Sequence, residues 1–282
     1  MTFPFYIGGP VWQHPNWPAH LLGGLSHYSQ YFNAVEGNTT FYALPTSELA
    51  HRWFQDTPDH FRICFKLHQD ITHKQQLANC QTLLRDYFVA IEPVLSRCGP
   101  FMIQLPATFG PQQLSNLAQF IPQLPKGLSF AVEVRHPEFF TKGQAERDLN
   151  NLLLNNGIER VSYDTRAMFK DQEAVMSKLD FTGQQIYRKE LDAKPKLPVR
   201  PCGFTQHPVV RIMSSPNLNL TDSILPNWHQ KLNQWLDQGK QPFLFFHVPN
   251  EQHVPSMIDR ALTHFGFEDV WPKPQVSQLG LV

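Results

Sequence analysis

The sequence predicts an α/β fold, namely a closed (β/α)8 barrel that forms a single domain over residues 1–282. Eight short segments are rich in β-branched and aromatic residues, which is typical of strands. They lie near residues 3–9, 33–39, 61–67, 101–106, 129–134, 160–165, 209–214 and 243–249. Successive segments begin 28 to 49 residues apart, and one strand–helix–strand unit needs about 30 residues. The spacing therefore predicts parallel strands joined by helices.

Most intervals between these segments carry helical signals. Thr46 and Ser47 can cap an amphipathic stretch that runs through Trp53, and apolar residues recur at helical spacing from Leu83 to Leu95. No G-x-G-x-x-G motif follows any predicted strand, which disfavours a doubly wound open sheet. Eight is also the number of units that closes a TIM-like barrel.

The interval between predicted strands six and seven is the longest. It contains one helix candidate, Gln172–Leu179, and a Pro/Lys-rich stretch, Lys194–Pro198. We expect residues 181–207 to form an excursion between two strands of the same domain, not a linker between domains.

Composition excludes several classes of protein. The chain has 24 Lys+Arg and 24 Asp+Glu, so its formal net charge is zero, which disfavours a binder that relies on a general basic charge. No apolar run reaches the ~18–20 residues that span a bilayer, and the first residues lack the basic region of a secretory signal. The four cysteines have no zinc-binding spacing. We expect a cytoplasmic protein without a membrane partner, metal or other cofactor.

Charged and polar residues occupy the predicted strand ends, where barrels of this class carry their active sites. Charges inside apolar strands are unfavourable unless paired, so three carboxylates and three cations on different strands predict a common site. As catalytic residues we predict Glu36, Glu133, Asp164, His247 and His73. As ligand-binding residues we predict Asn38, Lys66, Gln104, Arg135, Arg211 and Trp12. The alternative is a set of buried ion pairs that only fixes the packing.

Four motifs lie along the chain in a characteristic order. They are Val35–Pro45 (VEGNTTFYALP), Phe61–Lys66 followed by Ile71–His73, Gln104–Phe109 (QLPATF), and Val132–Pro137 (VEVRHP). Together they resemble the YecE family, the domain of unknown function 72, over about residues 6–265. The resemblance implies a TIM barrel related to xylose-isomerase-like and endonuclease-IV-like barrels, but it implies no activity. Two strand ends, Gly8–Trp12 and Phe246–Asn250, depart from the commoner family pattern.

The predicted function is to bind and act on a small anionic or phosphorylated molecule by acid/base chemistry without a metal. Lys66, Arg135 and Arg211 would hold the anion. A glutamate would act as general base or acid, and a histidine would transfer the proton.

Three alternatives stay open from the sequence. A metal-dependent hydrolase or isomerase would use the carboxylates and a histidine as ligands, although the nearby cations would repel a metal. A glycosidase would use Glu36 and Glu133, separated by about 5–9.5 Å across a sugar. A non-enzymatic binder of nucleic acid or a metabolite would use a basic stretch that contains Arg188, Lys189, Lys194, Lys196 and Arg200.

Overall fold

The structure, a computed structural model, describes residues 4–268. In this range there are nine short strands: β1 (Tyr6–Gly8), β2 (Ala34–Gly37), β3 (Arg62–Phe65), β4 (Phe101–Gln104), β5 (Phe130–Glu133), β6 (Glu159–Arg160), β7 (Ser162–Asp164), β8 (Val209–Met213) and β9 (Phe243–His247). The described residues do not include 1–3 and 269–282, the two ends of the predicted domain. Residue 3, the first of the predicted strand 3–9, is therefore not among the described residues.

Helices separate the strands along the chain. They are α1 (Leu25–Tyr31), α2 (Thr39–Tyr42), α3 (Ser47–Gln55), α4 (Gln81–Ile91), α5 (Leu114–Phe120), α6 (Gln144–Asn155), α7 (Gln172–Met176), α8 (Phe181–Ala193), α9 (Leu218–Asp222), α10 (Leu225–Asp237) and α11 (Val254–Phe265). Short 3-10 and π turns connect several of them. The alternation of strands and helices confirms the predicted α/β class.

The strands form three sheets in which every pairing is parallel. Their orders are β1-β9-β8-β7, β2-β3 and β4-β5-β6. Backbone hydrogen bonds also join neighbouring sheets: the Glu36 N–H donates to Gly9 O (3.0 Å), and the Leu67 N–H donates to Met102 O (3.0 Å). Val161 lies between β6 and β7, and its N–H donates to Val132 O of β5 (2.9 Å).

The two faces of the strands pack into different apolar clusters. One face meets the helices in the main core, where buried strand residues such as Val35, Ile63 and Ile103 are in one cluster with Leu84 of α4 and Leu149 of α6. The other face forms a second, smaller cluster. Its members are Ala34, Cys64, Met102, Ala131, Val161, Val209, Phe243 and Phe245, with Tyr6 packed against them.

The predicted strand at 160–165 is divided in two. β6 pairs with β5, and β7 pairs with β8. Each half therefore completes the edge of a different sheet.

The segment between β7 and β8 contains a helix that the sequence did not predict. The candidate at Gln172–Leu179 appears as the shorter α7, and α8 follows at once, with Asp180 accepting a hydrogen bond from the Gly183 N–H as its N-cap (2.7 Å). Tyr187 fixes α8 to the body of the protein, because its fully buried ring ends in a hydroxyl that donates to Met168 O (2.5 Å). No helix within residues 4–268 is both long and apolar enough to cross a membrane.

Candidate functional site

The candidate site is one layer of side chains that lies directly above the smaller apolar cluster, toward the carboxyl ends of the strands. Side chains alternate along a strand, so a residue two positions beyond a cluster member faces the same side. Seven residues satisfy this rule, one for each of seven members of the cluster: Glu36, Lys66, Gln104, Glu133, Tyr163, Arg211 and His247. The layer of side chains next to the apolar cluster, two residues further along each strand, is therefore polar.

Arg211 lies at the centre of this layer and binds two glutamates. Its Nε and Nη2 donate to the two carboxylate oxygens of Glu36, at 2.6 and 3.1 Å, and its Nη1 donates to Glu133 Oε2. The three side chains are at most 3% exposed. Such a bidentate, charge-assisted arrangement is strong, and it makes the three charges mutually dependent.

The pKa values of these groups follow from the pairing. Burial by itself would raise the pKa of both glutamates, but Arg211 and the other nearby charges and hydrogen bonds, acting together, outweigh it. The pKa of Glu36 is held well below its usual value, and that of Glu133 is lowered to about 2. Burial opposes ionisation of Arg211, whereas the two glutamates raise its pKa. All three groups are therefore charged at neutral pH.

Arg135 extends the network toward solvent. Its Nε donates to Glu133 Oε1 at 2.8 Å, and its side chain is 16% exposed. The guanidinium groups of Arg135 and Arg211 lie over the ring of Tyr163, at 5.5 and 5.9 Å from its centroid. Tyr163 is 2% exposed, and its hydroxyl has no hydrogen-bond partner among the described residues.

Lys66 differs from the two arginines because the ion pairs found within residues 4–268 do not include it. Its Nζ donates to the amide oxygen of Gln104 at 2.9 Å. Burial lowers the pKa of Lys66 to about 7, with the charge of Arg211 acting in the same direction. A large fraction of this lysine is therefore a neutral amine at neutral pH.

His247 ends β9 beside the glutamate–arginine pair. Its Nε2 lies 3.0 Å from Glu36 Oε1 and 3.2 Å from Arg211 Nη2. Because an ionised carboxylate can only accept, Nε2 carries the hydrogen in the contact with Glu36. Burial lowers the pKa of His247 to about 4, so the ring is neutral at pH 7.

A cleft of about 620 Å³ opens above this layer. Asn38, Gln104 and His247 contribute to its lining, and the rim includes His14 and the exposed Tyr42. Five lining residues are lysines or arginines, namely Lys66, Arg135, Lys189, Lys194 and Arg211, and two are glutamates, Glu190 and Glu251. Glu36 and Glu133 are not among the lining residues, because they lie below Arg211. The cleft therefore presents more basic than acidic side chains, while the two carboxylates that balance Arg211 are covered.

One wall of the cleft is a face of α8 and the residue that follows it. Ile186, Lys189, Glu190, Ala193 and Lys194 line the cleft, and their spacing of three and four residues places them on one face of the helix. Lys194 pairs with Glu190 one turn earlier. Burial, together with the charges of Arg211 and Arg135, lowers the pKa of Lys194 to about 8.

Asp164 is buried away from the cleft lining. It follows Tyr163 directly, so alternation turns it toward the helices. There it accepts from the Trp228 indole of α10 at 2.8 Å and from Arg166 at 2.7–3.2 Å. Tyr163, which the sequence analysis did not select, occupies the layer instead.

Of the remaining predicted residues, Asn38 lines the cleft, whereas His73 and Trp12 do not. The Nδ2 of Asn38 donates to Pro10 O (2.7 Å), while its buried Oδ1 has no partner in the described part of the chain. His73 packs edge-on against Phe41, with ring centroids 5.0 Å apart, and burial lowers its pKa, with Arg135 and Lys66 adding to the effect. Trp12 packs against Trp53 at 6.1 Å and is not among the lining residues.

Two site residues that were not predicted, Tyr163 and Lys194, have signals in the sequence that could have identified them. Tyr163 could have been found by counting alternation from Val161, as for the other strands. Lys194 was assigned only to a basic stretch, although Glu190 and Lys194 have the i,i+4 spacing of a helical ion pair. Arg200, from the same stretch, is bound to Glu146 at 2.7 Å.

Among residues 4–268 there is no group of three or more His, Cys, Asp or Glu residues arranged to hold a metal ion. The oxygens of Glu36 and Glu133 already accept hydrogen bonds from Arg211, Arg135 and His247.

The fold and the site together define an α/β protein whose parallel strands carry a cation-lined cleft at their carboxyl ends. The chain belongs to the family described as protein of unknown function DUF72, whose model matches residues 6–278. The family predicted from the four motifs is confirmed.

Relatives in bacteria support this membership. The chain is 37% identical over 253 residues to UPF0759 protein YecE of Escherichia coli K12, and the match covers 90% of this chain and 89% of the relative. YecE of Escherichia coli O157:H7 gives the same identity and coverage.

Solved structures agree with the fold. Two crystal structures of a DUF72 family protein from Enterococcus faecalis V583 match with TM-scores of 0.71 and 0.69. Each is 14% identical to this chain. The matches cover 93% of this chain and 95% and 97% of the two crystallised chains. At this level of identity, the likeness concerns the fold alone.

Proposed function

We propose that the protein binds a small organic anion, a carboxylate or a phosphorylated compound, in the cleft and acts on it by acid/base chemistry without a metal. One observation carries the proposal. Lys66, Arg135 and Arg211 face a cleft of about 620 Å³, while the glutamates that balance Arg211 are buried beneath it. The lining of the cleft is therefore richer in basic than in acidic side chains, which favours a negative ligand.

The hydrogen-bonding capacity of Arg135 supports an oxygen-rich anion. In the described part of the chain, its hydrogen bond to Glu133 uses Nε, so its Nη groups are available to donate. A planar guanidinium with two adjacent donors fits a carboxylate or phosphate in bidentate fashion.

The pKa values divide the predicted catalytic residues into two roles. Glu36 and Glu133 stay ionised and accept from Arg211, so in this proposal they position the arginine. Lys66, with a pKa of about 7, and the neutral His247 are the groups available for proton transfer at the cleft. Asp164 has no part in the proposal, because Trp228 and Arg166 bind its oxygens. His73 acts in it only by supporting Phe41 at the rim.

The competing functions have less support. A guanidinium bound to both Glu36 and Glu133 lies where a glycosidase would hold its sugar, and the same guanidinium occupies the oxygens that a metal would need. Nucleic-acid binding by the basic stretch is weakened because Arg200 is bound to Glu146 and Lys194 lines the cleft.

The expected geometry assumes that the three sheets close into one barrel within a single domain, and we propose this as well. Backbone hydrogen bonds cross the junctions between sheets, and the smaller apolar cluster draws residues from β2, β3, β4, β5, β8 and β9. Residues 181–207, with α8, are then an excursion of that barrel over its carboxyl-terminal mouth.

Thermal shift and calorimetry test the anion site. Inorganic phosphate, citrate and glucose 6-phosphate are compared with neutral glucose, and we expect at least one anion, but not glucose, to raise Tm. Arg135→Met should weaken that binding about tenfold or more, because one charge-assisted contact contributes about 1.5–3 kcal/mol. Arg147→Met, on the exposed face of α6, is the matched control. The proposal fails if no anion binds, or if Arg135→Met binds as tightly as the control.

A further inference from the structure

The environment of Lys66 is unusual for a lysine that only balances charge. Its side chain is 9% exposed and lines the floor of the cleft. Arg211 of the layer and Arg135 above it both act on its charge, and Glu36 and Glu133 are bound by Arg211. A cation at this position has no carboxylate in direct contact; Arg211 and Arg135 repel it, Glu36 and Glu133 attract it from a distance, and burial is the largest effect on its pKa.

We propose that Lys66 is a nucleophilic catalytic residue whose amine forms an imine with an anionic aldehyde or ketone bound in the cleft. The inference rests on the proposed anion site and adds the chemical class of the substrate. Arg135 and Arg211 would hold the negative group, so that the carbonyl carbon lies against Nζ. Desolvation and adjacent cations are the two known ways to keep a lysine amine neutral and reactive, and both are present here.

The step balances without a further reagent. The lone pair of Nζ attacks the carbonyl carbon, a C–N bond forms, and the C=O electron pair moves to oxygen. Both hydrogens of the neutral amine then leave with that oxygen as one molecule of water, and a C=N bond remains. No atom is oxidised or reduced.

Gln104 has a defined part in this arrangement. Its amide oxygen accepts one N–H of Lys66 at 2.9 Å, which orients the amine and leaves the nitrogen lone pair available for attack. Gln104 is therefore a positioning residue. Gln104→Glu would place a carboxylate beside Nζ, favour the ammonium form and shift the reactive pH range upward.

Reductive trapping tests the inference. The full chain is incubated with glyceraldehyde 3-phosphate or glyoxylate and sodium cyanoborohydride, which reduces imines to stable amines, and adducts are located by peptide mass spectrometry. Neutral glyceraldehyde is the matched control for the phosphate. We expect at least one of the two anions to label Lys66 at least tenfold faster than exposed lysines such as Lys178. Labelling should be half-maximal near pH 7, weak with glyceraldehyde, and suppressed by whichever anion binds in the thermal-shift screen.

Two variants make the outcome decisive. Lys66→Arg keeps a cation but removes the nucleophile, so the adduct must disappear while anion binding persists. In Gln104→Glu, half-maximal labelling must move to higher pH, a change that loss of packing alone would not produce. If Lys66 is not labelled in preference to Lys178 although an anion binds, the imine inference fails and the anion site stands. If no anion binds, both fail.

Discussion

Arg211 is the residue on which the buried charges depend. It donates to Glu36 and Glu133 from a position that is 3% exposed, and removal of one partner from a buried ion pair leaves the other charges uncompensated. We expect Arg211→Met to lower the free energy of unfolding by about 3–5 kcal/mol, measured by urea denaturation. Arg85→Met, at an exposed ion pair with Asp86, should change it by less than about 1 kcal/mol. Equal losses in the two variants would contradict this interpretation.

We expect Lys66 to make the folded protein less stable at neutral pH than at high pH. Its pKa falls from an ordinary value of 10.5 to about 7 on folding, mainly through burial. Between these pH values the unfolded chain binds a proton that the folded protein does not, so stability rises with pH across this window. In Lys66→Met this rise should be smaller, and the variant should be more stable than wild type at pH 7 by about 1–4 kcal/mol, because one pKa unit corresponds to about 1.4 kcal/mol.

Urea denaturation at pH 7 and pH 9.5 checks this expectation. Lys178→Met, at an exposed position on the surface, is the control and should follow wild type at both pH values. A Lys66→Met variant that is less stable at pH 7, with an unchanged dependence on pH, would show that the lysine is held by favourable interactions.

At the scale of the element, α8 determines how much of the cleft is cationic. One face of the helix lines the cleft, and the other faces solvent, as the exposed Arg188 shows. The sequence signal for this helix is weak, because its apolar residues are few. The helix is stabilised by its N-cap Asp180 and by the buried Tyr187.

The two faces of α8 give a matched pair of variants. Lys194→Met should weaken binding of the anion identified by thermal shift about tenfold, which corresponds to one charge-assisted contact of about 1.4 kcal/mol. Arg188→Met removes an equal charge from the same helix but from its solvent face, and it should leave affinity within about twofold. Calorimetry at constant ionic strength measures both, because salt screens exposed charges more strongly than buried ones. Equal effects would mean that α8 acts only through long-range charge.

The element scale also explains why Asp164 differs from the other predicted carboxylates. The sequence suggested one strand at 160–165, and its last charged residue looked equivalent to Glu36 and Glu133. Alternation within β7 instead sends Tyr163 to the site and Asp164 to Trp228. Counting alternation from the small apolar residues, rather than from the strand ends, would have separated the two.

At the scale of the whole molecule, the junctions between sheets decide whether the strands behave as one unit. The amides of Glu36, Leu67, Gly99 and Val161 donate across these junctions, at 2.9–3.0 Å. If the sheets close into one barrel, these amides should exchange with deuterium only through global unfolding. Their opening free energies should equal that of Ile212 in β8, which has paired strands on both sides.

Native-state hydrogen exchange at low denaturant measures these free energies residue by residue. Junction amides that open at least 2 kcal/mol more easily than Ile212, on the order of thirtyfold in the opening constant, would indicate sheets that separate locally. The amides of α8 provide an internal reference for local opening.

The sequence by itself determined the α/β class, the positions of the strands and the family, because these depend on local periodicity and on motifs that stay together along the chain. It also indicated Glu36, Glu133 and Arg211 as a set, since charges within apolar strands require partners. The tertiary structure decided which ion-pair or hydrogen-bond partner each charged side chain has. Burial and the central guanidinium turned the glutamates into positioning groups, left Lys66 without a carboxylate, and brought Lys194 from a distant segment to the same cleft. Those outcomes depend on distances between strands and helices, which no spacing along the chain encodes.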